Sequence, residues 1–66
     1  MSEGFPERLS KARAQRKLSV SEVSKRTGIL KNSIYLYESG KAEPRLSFAV
    51  ALAQVLDVSL DYLAKG

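Results

Sequence analysis

Any chemistry in this 66-residue chain has to proceed without histidine and without cysteine. That removes the commonest general base, the commonest metal ligand, thiolate nucleophiles and disulfides together. The carboxylates, Glu3, Glu7, Glu22, Glu38, Glu43, Asp57 and Asp61, are scattered, and none adjoins a glycine-rich loop. No set of nucleophile, base and oxyanion donors can be assembled from them, so the chain reads as a non-enzyme with no metal and no cofactor. What remains is cationic. Net charge is +4 and unevenly placed: residues 1–45 hold ten Lys/Arg against five acids, whereas residues 46–66 hold Lys65 against Asp57 and Asp61. This asymmetry suits a polyanion met by the first two-thirds of the chain, although charge alone fits an ordinary solvated surface equally well.

The stretch that would position those cations is Ser19–Glu38, SVSEVSKRTGILKNSIYLYE. Ser19 is placed as an N-cap with Glu22 at N3, a capping box, and Leu18 with Val23 forms a hydrophobic staple. The first helix should run from Val20 to about Arg26. Gly28 follows where a left-handed cap residue belongs. A second helix is expected over Lys31–Ser39, with Ile34 and Tyr37 inward, Lys31, Asn32, Tyr35 and Leu36 outward, and Gly40 ending it. Helix, glycine turn, helix is the pattern whose second member enters the DNA major groove.

The rest of the chain supports this unit. Met1–Gly4 should be loose, and Pro6 marks the start of a helix reaching about Arg16. Its apolar stripe is Phe5, Leu9 and Ala12, with Arg8, Lys11, Arg16 and Lys17 mostly off it. Pro44 stops continuation from the preceding helix. LSFAVALAQVL, Leu46–Leu56, is apolar nearly all round. Leu46, Ala49, Leu52, Ala53 and Leu56 make one face, and Phe48, Ala51 and Val55 a second. A domain this small cannot bury both, so Phe48 and Val55 are expected to meet a second copy; the alternative is that Phe48 folds back onto its own core. Ser59 caps a final short helix, Leu60–Ala64, before Lys65-Gly66 frays. The expectation is an all-α, five-helix single domain over residues 1–66. No apolar run is long enough to span a membrane, and no signal core precedes the domain, which places it in the cytoplasm.

In this register the chain resembles the Cro- and repressor-type helix-turn-helix domains of lambdoid phages and their bacterial relatives. The resemblance covers about Phe5 to Leu63. It rests on Leu18-Ser19, Glu22-Val23, Gly28-Ile29, Ile34, Glu38, Gly40-Lys41, Pro44, Leu56 and the tail Val58-Ser59-Leu60-Asp61-Tyr62-Leu63. It implies that Lys31, Asn32, Tyr35 and Leu36 touch base edges. Lysine can donate to guanine, asparagine can pair adenine bidentately, and Leu36 or Tyr35 suits a thymine methyl. It implies phosphate-backbone contacts by Ser33 and Lys41, with Arg16, Lys17 and Arg45 as further cations, and a structural ion pair between Arg13 and Glu38. The implied partners are double-stranded DNA with a pseudo-palindromic operator and a second copy of the chain, with no small-molecule ligand.

Three positions depart from the family pattern. Val20 stands where relatives often have glutamine, Leu30 where they have a Ser or Thr cap, and Leu36 where they have a polar residue. The leading expectation is a sequence-specific transcription regulator: a repressor, or a phage, restriction-modification or antitoxin-type switch. The alternative, motivated by Leu30, Tyr35 and Leu36, is a protein-interaction module that keeps the fold with reduced DNA contacts. A fragment of a larger repressor is a third reading.

Overall fold

The structure, a computed structural model, describes residues 4–65. Its elements are α1 (Phe5–Gln15), α2 (Val20–Thr27), α3 (Lys31–Ser39), α4 (Leu46–Leu56) and α5 (Leu60–Lys65), with no strand among the described residues. The all-α, five-helix expectation holds, and element boundaries move by a residue or so.

The start of α1 is better fixed than expected. The Gly4 amide donates to Glu7 Oε1 at 2.9 Å, so Gly4 is held, not loose. Phe5 and Pro6 fill the first two helical positions, where proline's missing N–H has no partner to lose. Met1–Glu3 and Gly66 lie outside the described residues. At the far end α1 stops at Gln15, because Lys17 turns left-handed (φ 58°). The Lys17 amide donates to the Ala14 carbonyl at 3.0 Å and the Leu18 amide to the Arg13 carbonyl at 3.3 Å. That is a Schellman closure, with Leu18 packed against the core behind it. The end of α4 repeats the device: Asp57 is left-handed (φ 58°), and the Val58 amide reaches the Ala53 carbonyl at 3.1 Å.

Leu9 and Ala12 of α1, Val20 and Val23 of α2, Ile29 in the turn, Ile34 and Tyr37 of α3, Leu52, Ala53 and Leu56 of α4, and Leu63 of α5 form one core. Helix α1 packs on α3 and α5, α2 on α3 and α4, and α4 on α5. Each fully buried leucine contributes roughly 2 kcal/mol by leaving water. That burial is what holds two- and three-turn helices that could not stand alone.

Three expectations are corrected here. Leu46 is not part of the inward face of α4; it is 70% exposed. It is the first helical residue, and it sits on the rim of a surface groove of about 580 Å³ bordered also by Phe5, Pro6, Pro44, Leu60 and Ala64. Arg8 is not on the solvated side of α1 but is buried. Its Nε donates to the Leu63 carbonyl at 3.1 Å and its Nη2 to the Ala64 carbonyl at 3.0 Å. A guanidinium thus occupies the negative end of α5, where a cation is favoured. With its end held this way, α5 continues through Lys65 instead of fraying there. The Ser59 hydroxyl accepts from the Tyr62 amide at 2.9 Å, the expected cap.

Candidate nucleic-acid interface

The frame of the helix-turn-helix begins at its cap. Ser19 Oγ accepts from the Glu22 amide at 3.1 Å, and the Ser19 amide donates back to Glu22 Oε1 at 3.4 Å. Gly28 is left-handed (φ 79°), with its amide on the Ser24 carbonyl at 2.8 Å. Side chains then staple the turn. Thr27 Oγ1 donates to the Val23 carbonyl at 2.7 Å and accepts from the Ile29 amide at 3.1 Å, while Ser24 Oγ donates to the Ile29 carbonyl. Ile29 drops into the core and the next residue, Leu30, is thrown outward, 73% exposed. Leu30 is the N-cap of α3, and no side chain caps that helix.

Helix α3 divides cleanly. Ile34 and Tyr37 are buried, whereas Lys31, Asn32, Tyr35 and Leu36 are exposed and Ser33 is half-buried. The four residues expected to face outward therefore share one surface. Ser39 joins them: it is exposed and lies seven residues, two turns, beyond Asn32. The outward set expected from the sequence does not include Ser39, although its spacing from Asn32 puts it on the same face.

Two clamps fix α3 in the body of the protein. Arg13 Nε meets Glu38 Oε2 at 2.7 Å, and Nη2 meets Oε1 at 3.0 Å. Its remaining arm, Nη1, donates to the Leu18 carbonyl at 2.9 Å, so one guanidinium ties α1, α3 and the loop before Ser19. The hydrogen bond to Glu38 raises the Arg13 pKa above its ordinary value against the opposing effect of burial. The Arg13–Glu38 pairing is the one expected; the bond to Leu18 had no sequence signal. The second clamp is the Leu36 carbonyl. It accepts from the Lys41 amide at 3.0 Å, the Ala42 amide at 3.3 Å and Ser39 Oγ at 3.1 Å. Gly40 (φ 79°) makes this reversal possible. The exposed Lys41 thereby leaves from a fixed point at the end of α3.

The other cations are placed as follows. Lys17 is exposed at the left-handed end of α1, and Arg16 beside it makes a loose contact with Asp57, 3.6 Å, with both groups largely in water. Arg45 is the N-cap of α4 and its guanidinium lies 5.0 Å above the Phe48 ring. Phe48 folds back against its own core, the alternative to a purely intermolecular role, and is left half-buried; Val55 is also half-buried. The groove beside Leu46 includes none of the exposed α3 residues. No group of three or more acids suited to a metal occurs among the described residues, and no helix there is long and apolar enough to cross a membrane.

Comparison with known proteins agrees with this arrangement. A family model described as Helix-turn-helix matches residues 9–63. The uncharacterized HTH-type transcriptional regulator YqaE of Bacillus subtilis (strain 168) is 40% identical over 62 residues, which is 94% of this chain and 53% of that protein. The chain thus spans about half the length of this curated relative. Among solved structures, the P22 c2 repressor in complex with a synthetic operator is 29% identical, superposes with a TM-score of 0.93 and is covered, like this chain, over 98% of its length. The restriction-modification controller protein C.AhdI from Aeromonas hydrophila is 25% identical, with a TM-score of 0.85 and 89% of each chain covered.

Proposed function

Because the chain belongs to the helix-turn-helix family of DNA-binding transcription regulators, we propose that it reads double-stranded DNA sequence-specifically, with α3 in the major groove. One observation carries this reading. Helix α3 presents Lys31, Asn32, Tyr35 and Leu36 on a single exposed face while Arg13–Glu38 and the Leu36 carbonyl hold its other sides rigid. Asn32 matches adenine and Lys31 matches guanine through the major-groove edge. Ser33, Lys41, Arg45, Arg16 and Lys17 supply phosphate contacts that set register. The P22 c2 repressor, alike over nearly the whole chain, forms a complex with a synthetic operator, which supports DNA as the partner.

Two copies would bind a pseudo-palindromic operator, with their α3 helices about one DNA turn, ~34 Å, apart. The second face of α4, Phe48 and Val55, joins the copies. The protein then acts in the cytoplasm as a repressor or as a phage, restriction-modification or antitoxin-type switch.

Selection of bound sites from a random duplex library tests the reading: enrichment of a two-fold-related motif is expected, and enrichment of nothing removes it. A second reading, a protein-interaction module, is favoured by Leu30 and Tyr35, which are 73% and 57% exposed. Salt separates the two. Binding through several phosphates weakens steeply as salt rises, whereas an apolar contact responds little.

A further inference from the structure

Arg8 spends its guanidinium on the Leu63 and Ala64 carbonyls, Arg13 on Glu38, and Arg16 lies near Asp57. Arg45 is held differently. It is exposed, no carboxylate among the described residues pairs with it, and its guanidinium carbon lies 5.0 Å above the centre of the Phe48 ring. Both ends of this contact are fixed. Arg45 follows Pro44 as the N-cap of α4, and its carbonyl accepts from the Ala49 amide at 2.9 Å. Phe48 is three residues on, so it shares a helix face with the cap, and its ring packs against the core.

A ring holds a cation without neutralising it. A carboxylate partner cancels the charge and takes up the N–H donors, as Glu38 does with Arg13. An aromatic ring attracts the guanidinium through its quadrupole and carries no net charge. Arg45 thus keeps its positive charge for another partner while losing the freedom of a long side chain that swings in water. That ordering is a cost a cation otherwise meets when it grips its ligand. The place suits a phosphate: Arg45 is four residues beyond Lys41, at the end of the loop that follows α3, and both are exposed. We propose that Phe48 is the positioning residue for the Arg45 phosphate contact, its ring preparing the guanidinium to meet the DNA backbone. The inference rests on the DNA-binding reading above. It adds to the residues that set binding strength one that acts through another side chain.

The test is a double-mutant cycle on the duplex enriched from the random library, with all proteins compared at a temperature where each is folded. Phe48→Met removes the ring and keeps an apolar side chain of similar size on the core; Phe48→Leu replaces it if the methionine variant melts early. Cation–ring contacts at exposed sites correspond to roughly two- to five-fold in affinity. Phe48→Met should weaken operator binding by that factor in the parent and have no effect when Arg45 is already alanine. Phe48→Tyr, which keeps the ring, should bind as the parent does. Arg45→Ala alone should lower the salt slope by about one. A change in packing or in dimer strength follows Phe48 in both backgrounds and cancels in the cycle. Equal effects of Phe48→Met with and without Arg45 overturn the proposal. So does an Arg45→Ala variant with the affinity and salt slope of the parent. A library that enriches no site would instead remove the DNA-binding reading, so the two failures are distinct.

Discussion

Arg13 and Glu38 meet through two parallel hydrogen bonds, Nε to Oε2 at 2.7 Å and Nη2 to Oε1 at 3.0 Å, across 25 residues of sequence. This joins the last turn of α1 to the last turn of α3. The side chains are 23% and 12% exposed, so the pair is neither a surface contact nor fully dry. Breaking a fully buried pair by removing one partner costs roughly 3–5 kcal/mol, and partial exposure lowers that to about 2. Glu38→Gln and Arg13→Ala should each lower the melting temperature by about 8–16 °C for a domain of this size. The double variant Arg13→Met, Glu38→Leu should recover much of the loss, since no charge is left stranded. Single variants that melt like the parent would show that the pair does not brace α3.

Arg8 gives a second stability prediction with a local signature. Arg8→Met keeps the stem and loses the donors to the Leu63 and Ala64 carbonyls. A loss of roughly 2 kcal/mol is expected from hydrogen bonds made by a charged donor. Amide exchange should quicken first in α5, while α2 and α3 exchange at rates set by global unfolding. Equal acceleration in every helix would mean that Arg8 serves the whole core and not the end of α5.

On operator DNA, Lys31→Ala and Asn32→Ala should relax base preference at single positions, by ~1–3 kcal/mol each. Lys41→Ala should weaken all sequences alike and reduce the salt slope by about one. Measuring each variant against the selected operator and its single-base variants separates the classes. If Asn32→Ala weakened all sequences equally, α3 would be contacting phosphate and not bases.

Val55→Glu is the cleaner probe of the dimer, because Phe48 also packs on the core and its replacement risks unfolding. Sedimentation of a dimeric parent should shift to the monomer mass in Val55→Glu with α-helix content retained. An unchanged mass would move the interface elsewhere, and Val50→Glu would then probe the edge of α4 where Val50 and Leu46 are exposed, 38% and 70%.

The sequence disclosed what local rules determine. The Ser19–Glu22 box, Gly28, Gly40 and the Ile34/Tyr37 spacing each depend on residues within one or two turns, and all are found where the spacing puts them. Arg8 shows the limit. Nothing near it announces that its partners are carbonyls more than 50 residues away. Leu46 was misplaced for a related reason. Its angular position on α4 fits the buried stripe, but whether a stripe is covered at its first turn depends on which neighbour reaches that far. Ser39 is legible from the sequence, since its spacing from Asn32 is the same periodicity that identifies the rest of the face.

The two left-handed residues that close α1 and α4 are Lys17 and Asp57, not glycines. A side chain in that conformation costs roughly 1 kcal/mol, so Lys17→Gly and Asp57→Gly leave the chain folded the same way with less strain. The sequence therefore sits one substitution from a sturdier fold at each of two corners. At both it keeps a charge that glycine would erase: the Lys17 cation in the loop leading into α2, and the carboxylate that Arg16 leans toward. Thermostability engineering at these corners would accordingly trade against electrostatics, and a hardened variant with Lys17→Gly should hold DNA less firmly than its melting curve suggests.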